Sequence, residues 1–294
     1  MKRYRVPGLA LTVLAVVVMG CRLGDVPSDA EAASDAIAAA VASPSDGMIQ
    51  EAMDVGGYLF GSSGGSGSTA ASKGFVVPIG HARFVCSELG TFTWDGETKT
   101  YARARTDFDV LLPDHTIHVD SLLVKVRFFA SADASGEAYG PVDTSAGFDP
   151  SVRSMTYRRE IAATATRIST GAVHRYTAVS DLAFTDIDPT AGTVTIDGTR
   201  TREFDRAFAT GRAVAGTITD AISGLAMSWD VDTGTLSWSG TLSYVLDATV
   251  TRANGVQVER HQVGAIEFSG SSTFTVTVNG VTYRYRLADG TRVE

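Results

Sequence analysis

The chain has 294 residues, with 33 acidic against 25 basic side chains and a net charge of −8; 44% of it is hydrophobic, with 30 Gly, 8 Pro and 2 Cys. That apolar content excludes wholesale disorder, and the length suffices to bury a core. Two cysteines exclude a disulfide scaffold, and the acidic balance argues against a nucleic-acid partner, which would require a basic face.

At the N-terminus, Lys2, Arg3 and Arg5 precede an uncharged run from Leu9 to Met19. That run has the length of a signal-peptide apolar region and is too short to span a bilayer as a helix. Val18-Met19-Gly20-Cys21 follows at once. This segment resembles the lipobox of bacterial lipoproteins, a resemblance confined to residues 1–21. It implies removal of residues 1–20 as a signal peptide, acylation of Cys21 as the new N-terminus, and a partner in the membrane through that anchor. Cys21 would then be unavailable for a disulfide. Arg22, where an Asp would signal retention, resembles the outer-membrane sorting pattern of enteric bacteria and places the chain in the cell envelope.

Residues 21–60 read as a lipidated tether with short helices. Ser28-Asp29-Ala30-Glu31 is a capping box, which satisfies open amides at a helix start. Ala32 to Ala42 is Ala-rich, with Ile37 and Val41 on one face, and Ser43-Pro44 ends it. A second helix is expected over 46–55, from the pairs Met48/Ala52 and Ile49/Met53. Residues 61–74 form a Gly/Ser-rich linker. Gly61-Ser62-Ser63-Gly64-Gly65 in that tract matches the G-x-S-x-G pattern of serine hydrolases. The strand, helix and acid–base partners of a nucleophile elbow are missing around it, so no hydrolase is expected.

From residue 75 to 294 the pattern is β. Leu122, Val124, Val126 and Phe128 alternate with Lys125 and Arg127; Phe274, Val276 and Val278 alternate with threonines; Val281, Tyr283, Tyr285 and Leu287 alternate with Thr282, Arg284 and Arg286. One buried and one wet face describes an antiparallel sheet. Asn279-Gly280 predicts a two-residue hairpin pairing Val278 with Val281, Val276 with Tyr283 and Phe274 with Tyr285. Asp95-Gly96 and Asp197-Gly198 are further two-residue candidates. A loop over Asp232–Thr235 would pair Trp229 with Trp238, and a three-residue loop at Asn254-Gly255 would pair Val250 with Val258. Residues 133–153 read as a long surface loop. The expected fold is all-β: a large antiparallel meander of about eleven to thirteen strands, barrel-like or sandwich, preceded by the short α-helical N-terminal segment. A transmembrane barrel also has alternating strands. Against it, Arg103/Arg105 and Arg200/Arg202 would interrupt any lipid-facing row.

Chemistry is sparse. In the run from His115 to Asp120, His118 and Asp120 share a strand face while His115 points away, so the three cannot chelate one ion. A metal site would have to recruit His81, His174 or His261. Asp186-Ile187-Asp188 and Asp230-Val231-Asp232-Thr233-Gly234 resemble fragments of calcium loops without the full oxygen set, and turn chemistry accounts for them. Cys86 reads as a small buried hydrophobe. Neither a catalytic residue, a metal nor a cofactor is expected, and the chain is not expected to be an enzyme. The site residues expected are Cys21, acylated, and the lipobox Val18, Met19 and Gly20. The expected function is that of an envelope lipoprotein with a non-catalytic β-domain in a structural or surface-interaction role, facing a protein or polysaccharide. The alternative is a carrier of a lipid or other hydrophobic ligand in a partly open barrel.

Overall fold

The computed structural model describes Ser34, Ile37 and Ala38 and residues 93–293, less 113–114, 139, 141–150, 189, 208–210, 231–234 and 288–289. The lipobox Val18–Cys21, the Gly/Ser tract, His81 and Cys86 lie outside the described residues, as does most of the expected helical segment.

Twelve strands form one antiparallel sheet in chain order: β1 (Thr93–Asp95), β2 (Thr100–Leu112), β3 (His115–Phe129), β4 (Ser154–Arg167), β5 (Val173–Asp188), β6 (Thr193–Ala207), β7 (Ala213–Asp230), β8 (Thr235–Thr251), β9 (Gln257–Gly270), β10 (Thr273–Val278), β11 (Val281–Arg286) and β12 (Arg292–Val293). The strands form because β-branched and aromatic residues alternate with polar ones, giving each strand a face to bury. β5 illustrates it: Tyr176, Ala178, Ser180, Leu182 and Phe184 are buried, while Arg175, Thr177, Val179 and Asp181 face outward. β7, at 18 residues, extends for about 60 Å.

The buried face is one contiguous apolar cluster running from Phe108 on β2 to Tyr285 on β11, and Ile37 and Ala38 belong to it. Among the described residues no second sheet covers that face. Ser34 Oγ meets the Tyr285 hydroxyl at 2.6 Å, tying residue 34 to the inner face of β11.

The Asn279-Gly280 hairpin has the expected register, with Phe274 opposite Tyr285, Val276 opposite Tyr283 and Val278 opposite Val281. Val250 pairs with Val258, and Arg252 N donates to Val256 O across the three residues Ala253-Asn254-Gly255. Three expectations are corrected. Trp229 pairs with Leu236 and Trp238 with Met227, because the connection between β7 and β8 lies one residue earlier than the turn residues suggest. Asp95 pairs with Thr100 rather than closing a two-residue turn. Its Oδ1 accepts from the Glu97 and Thr98 amides, which lengthens the loop to four residues. Asp197-Gly198 is no turn: it sits within β6, where the register shifts between Ile196 and Gly198. Gly198 has φ +140° and a Cβ there would strike the Asp181 carbonyl, so only glycine fits this bulge.

The arginines thought to interrupt an outward row lie on the inner face instead. Arg103, Arg200 and Arg202 are buried. The outward rows carry other charges, including Lys125, Arg127, Asp181, Glu203 and Asp247.

Candidate functional site

Register aligns the buried polar groups into a band across the sheet. One row runs Arg103, Val124, Arg159, Ser180, Arg200, Asp220, Tyr244, Gly264, each residue opposite the next from β2 to β9. The adjacent row runs Arg105, Leu122, Ile161, Ala178, Arg202, Ile218, Leu246, Gln262. Apolar rows lie on both sides. Residues two apart on a strand share a face, so Arg103/Arg105 and Arg200/Arg202 place four guanidiniums on the inner face from only two strands.

Arg103, Arg159, Arg200 and Arg202 are buried, and Asp220 is the one buried carboxylate among the described residues. Arg200 Nη1 lies 3.9 Å from Asp220 Oδ2, both side chains almost wholly enclosed. Arg202 donates from Nη2 to His174 Nε2 at 2.9 Å and sits 5.2 Å from the centre of the Tyr176 ring. A guanidinium only donates, so Nε2 is the acceptor in this pair. His174 in turn meets Phe204 edge-on at 6.5 Å. Arg105 stacks over Phe108 at 4.2 Å. Gln262 Oε1 is buried with no hydrogen-bond partner among the described residues. Such burial favours arginine over lysine, because the delocalised cation is weakly hydrated and its flat face packs on rings.

Tyr244 completes the band. Its hydroxyl donates to the Thr277 carbonyl at 2.8 Å, and burial pushes its pKa up to about 12.

The outer face presents a different arrangement. His118 and Asp120 share that face as expected, at 3.6 Å, and the fold adds Asp109 at 2.8 Å and Asp107 at 3.7 Å. The hydrogen bond that His118 donates to Asp109, with the charges of Asp109, Asp120 and Asp107, holds the His118 pKa above its usual value. His261 pairs with Asp247 at 2.6 Å on β8 and β9. Arg158 links Glu160 and Asp181, each at 2.8 Å. Among the described residues no three His, Cys, Asp or Glu side chains converge as a metal site. The structure does not bring His174, His118 and His261 together: they stand on β5, β3 and β9, His174 inside and the others outside.

The buried band escapes a reading based on charge alone. Its signal is parity: Arg103 and Arg105 stand in phase with Tyr101, and Arg200 and Arg202 with Ile196 and Phe204. No family profile, curated protein or solved structure matches the chain.

Proposed function

We propose that the chain is a membrane-anchored envelope lipoprotein whose β-domain acts without catalysis, in a structural or surface-interaction role. The anchor rests on the run from Lys2 to Cys21. The observation that carries the role is the separation of chemistry by face. Outward positions display threonines and cross-strand ion pairs such as Arg158–Asp181, while the buried cations are packed among aliphatic and aromatic neighbours. A long strand wall of this kind is a rigid display surface. The test is fractionation of host cells expressing the wild type or Cys21→Ala. Wild type should stay with membranes through a high-salt wash and Cys21→Ala should leave them; retention of the variant would refute lipidation as the tether.

A second reading, a carrier of a hydrophobic ligand in a barrel-like enclosure, is favoured by one observation. The arginine band crosses an inner face that is apolar above and below it, an arrangement suited to a ligand with an anionic head and an apolar tail. Native mass spectrometry of the chain isolated from its host would decide for this reading by showing a stoichiometric bound lipid. Protein free of ligand would decide for the first.

A further inference from the structure

The meander sorts its connections to two ends, and the sequence charges those ends oppositely. The turns β2–β3, β4–β5, β6–β7 and β8–β9 lie at one end. Between Leu111–Thr116, Arg167–Val173, Arg206–Ala213 and Thr251–Gln257 they hold Arg167, Arg206, Arg212 and Arg252 against one carboxylate, Asp114. The other end holds the turns β1–β2, β3–β4, β5–β6, β7–β8, β9–β10 and β11–β12. There the sequence places eleven carboxylates, two in the first turn, four between β3 and β4, then Asp186, Asp188, Asp230, Asp232 and Asp289, against Lys99, Arg153, Arg286 and Arg292.

Of the six exposed large aliphatic side chains among the described residues, Val179 and Val263 stand within strands and Val281 at the Asn279-Gly280 hairpin, while the other three stand at the basic end. Leu111 is 74% exposed, Ile168 62% and Val256 49%, one on each of three separate turns. Scattered aliphatics on a surface mean little. Here they share one end of the meander with arginines: Ile168 follows Arg167, Val256 shares its turn with Arg252, and Leu111 lies in the turn next to that of Arg167. Carboxylates resume only within the strands, where Asp205 pairs with Arg175 on the outer face.

We propose that this end docks on an anionic lipid bilayer, with Leu111, Ile168 and Val256 entering the headgroup boundary and the arginines held at the lipid phosphates. The chemistry is that of interfacial binding: shallow apolar insertion together with attraction to negative surface charge. Arginine stems add apolar contact while their heads stay at the polar layer. The acidic end is repelled from the same surface, so the charge pattern sets the orientation of the strands. Docking does not depend on acylation of Cys21, though the two are compatible in reach. Cys21 and Ser34 are thirteen positions apart, a span of up to about 45 Å when extended. The eleven steps from Gly240, level with Tyr285, to the tip at Thr251 rise about 36 Å.

Hydrogen exchange resolved by peptide, on the full chain, tests the proposal. The probes are phosphatidylcholine vesicles and phosphatidylcholine vesicles containing phosphatidylglycerol. Amides at 111–116, 167–173 and 251–257 should exchange more slowly only on the anionic vesicles, while those at 94–101 and 188–193 remain unchanged. The slowing should vanish in about 1 M salt, where charges are screened within about 3 Å, and in Arg167→Glu/Arg252→Glu. Exchange of the central strands in the same spectra reports whether a variant is folded. Tips that stay unprotected, or both ends protected equally, would overturn the proposal. Slowing by polyglutamate that matches the vesicles and is insensitive to Leu111→Asp/Ile168→Asp would assign the surface to an acidic protein instead. Because the readout is local and uses added vesicles, its failure is distinct from failure of the lipid anchor.

Discussion

Tyr244 lies directly over Gly264, the residue it opposes on β9, and so reaches the carbonyl of Thr277 on β10. A Cβ at residue 264 would come to 2.5 Å from the Tyr244 hydroxyl and strike the Thr277 carbonyl. The paired ladder between β9 and β10 stops at Ala265 and Thr277, and the phenol takes over at that point. Gly264→Val should therefore destabilise the fold by several times the cost of Tyr244→Phe, which loses about 1 kcal/mol of net hydrogen bonding. Denaturant midpoints of the two variants check the order.

The same phenol makes stability depend on alkaline pH. Its pKa in the folded state, about 12, exceeds the ordinary 10.0. The folded state thus keeps a proton that the unfolded chain releases. The contribution is whole below pH 10 and declines as pH rises through 12. Tyr244→Phe should flatten the urea midpoint over that window, after subtraction of the wild-type slope.

Arg200 and Asp220 are both enclosed, at 3.9 Å, so removing one leaves the other charge buried. Asp220→Ala should cost about 3–5 kcal/mol, whereas Arg200→Met/Asp220→Leu should recover most of that loss. A double-mutant cycle by thermal unfolding measures the recovery. Additive losses would show that the arginine band is held by other groups along the row.

His118 should titrate above 6.5, since Asp109 accepts its Nδ1 proton at 2.8 Å and Asp107 and Asp120 add negative charge. The imidazole signals in a pH titration by NMR should shift toward 6.5 in Asp109→Asn. The sign follows from the raised pKa: the pair stabilises the fold fully below 6.5 and loses that effect as pH climbs through the folded value. The group is exposed, so the effect appears in the titration rather than in the melting temperature.

Hairpins were legible wherever two kinds of signal agreed. At Asn279-Gly280 the turn residues and the matched apolar partners require the same register, and Asn279 takes φ +51°. At Asp197-Gly198 the turn residues stand alone, and a bulge uses the same chemistry. Asp197 Oδ1 accepts from the Gly224 amide at 2.7 Å, joining the irregularities of β6 and β7. Nothing in the spacing of β6 discloses that neighbour. The two-tryptophan register failed because a slip of two positions retains every buried face, so alternation cannot tell one from the other. The arginine band was hidden for the opposite reason. Arginine reads as outward by type, while its phase with Tyr101, Ile196 and Phe204 reads as inward. Phase prevailed because Arg200 faces Asp220 within its row, and Arg202 and Arg105 stack on Tyr176 and Phe108 of the neighbouring row.

Each strand pairs with its predecessor and successor in the chain, so assembly needs no distant search for register. Loop closure at each step spans one hairpin, and a chain emerging vectorially could zip strand by strand. The Ser34–Tyr285 link differs, joining positions 251 apart. It must await the penultimate strand, which makes residue 34 a latch that closes after the wall is built.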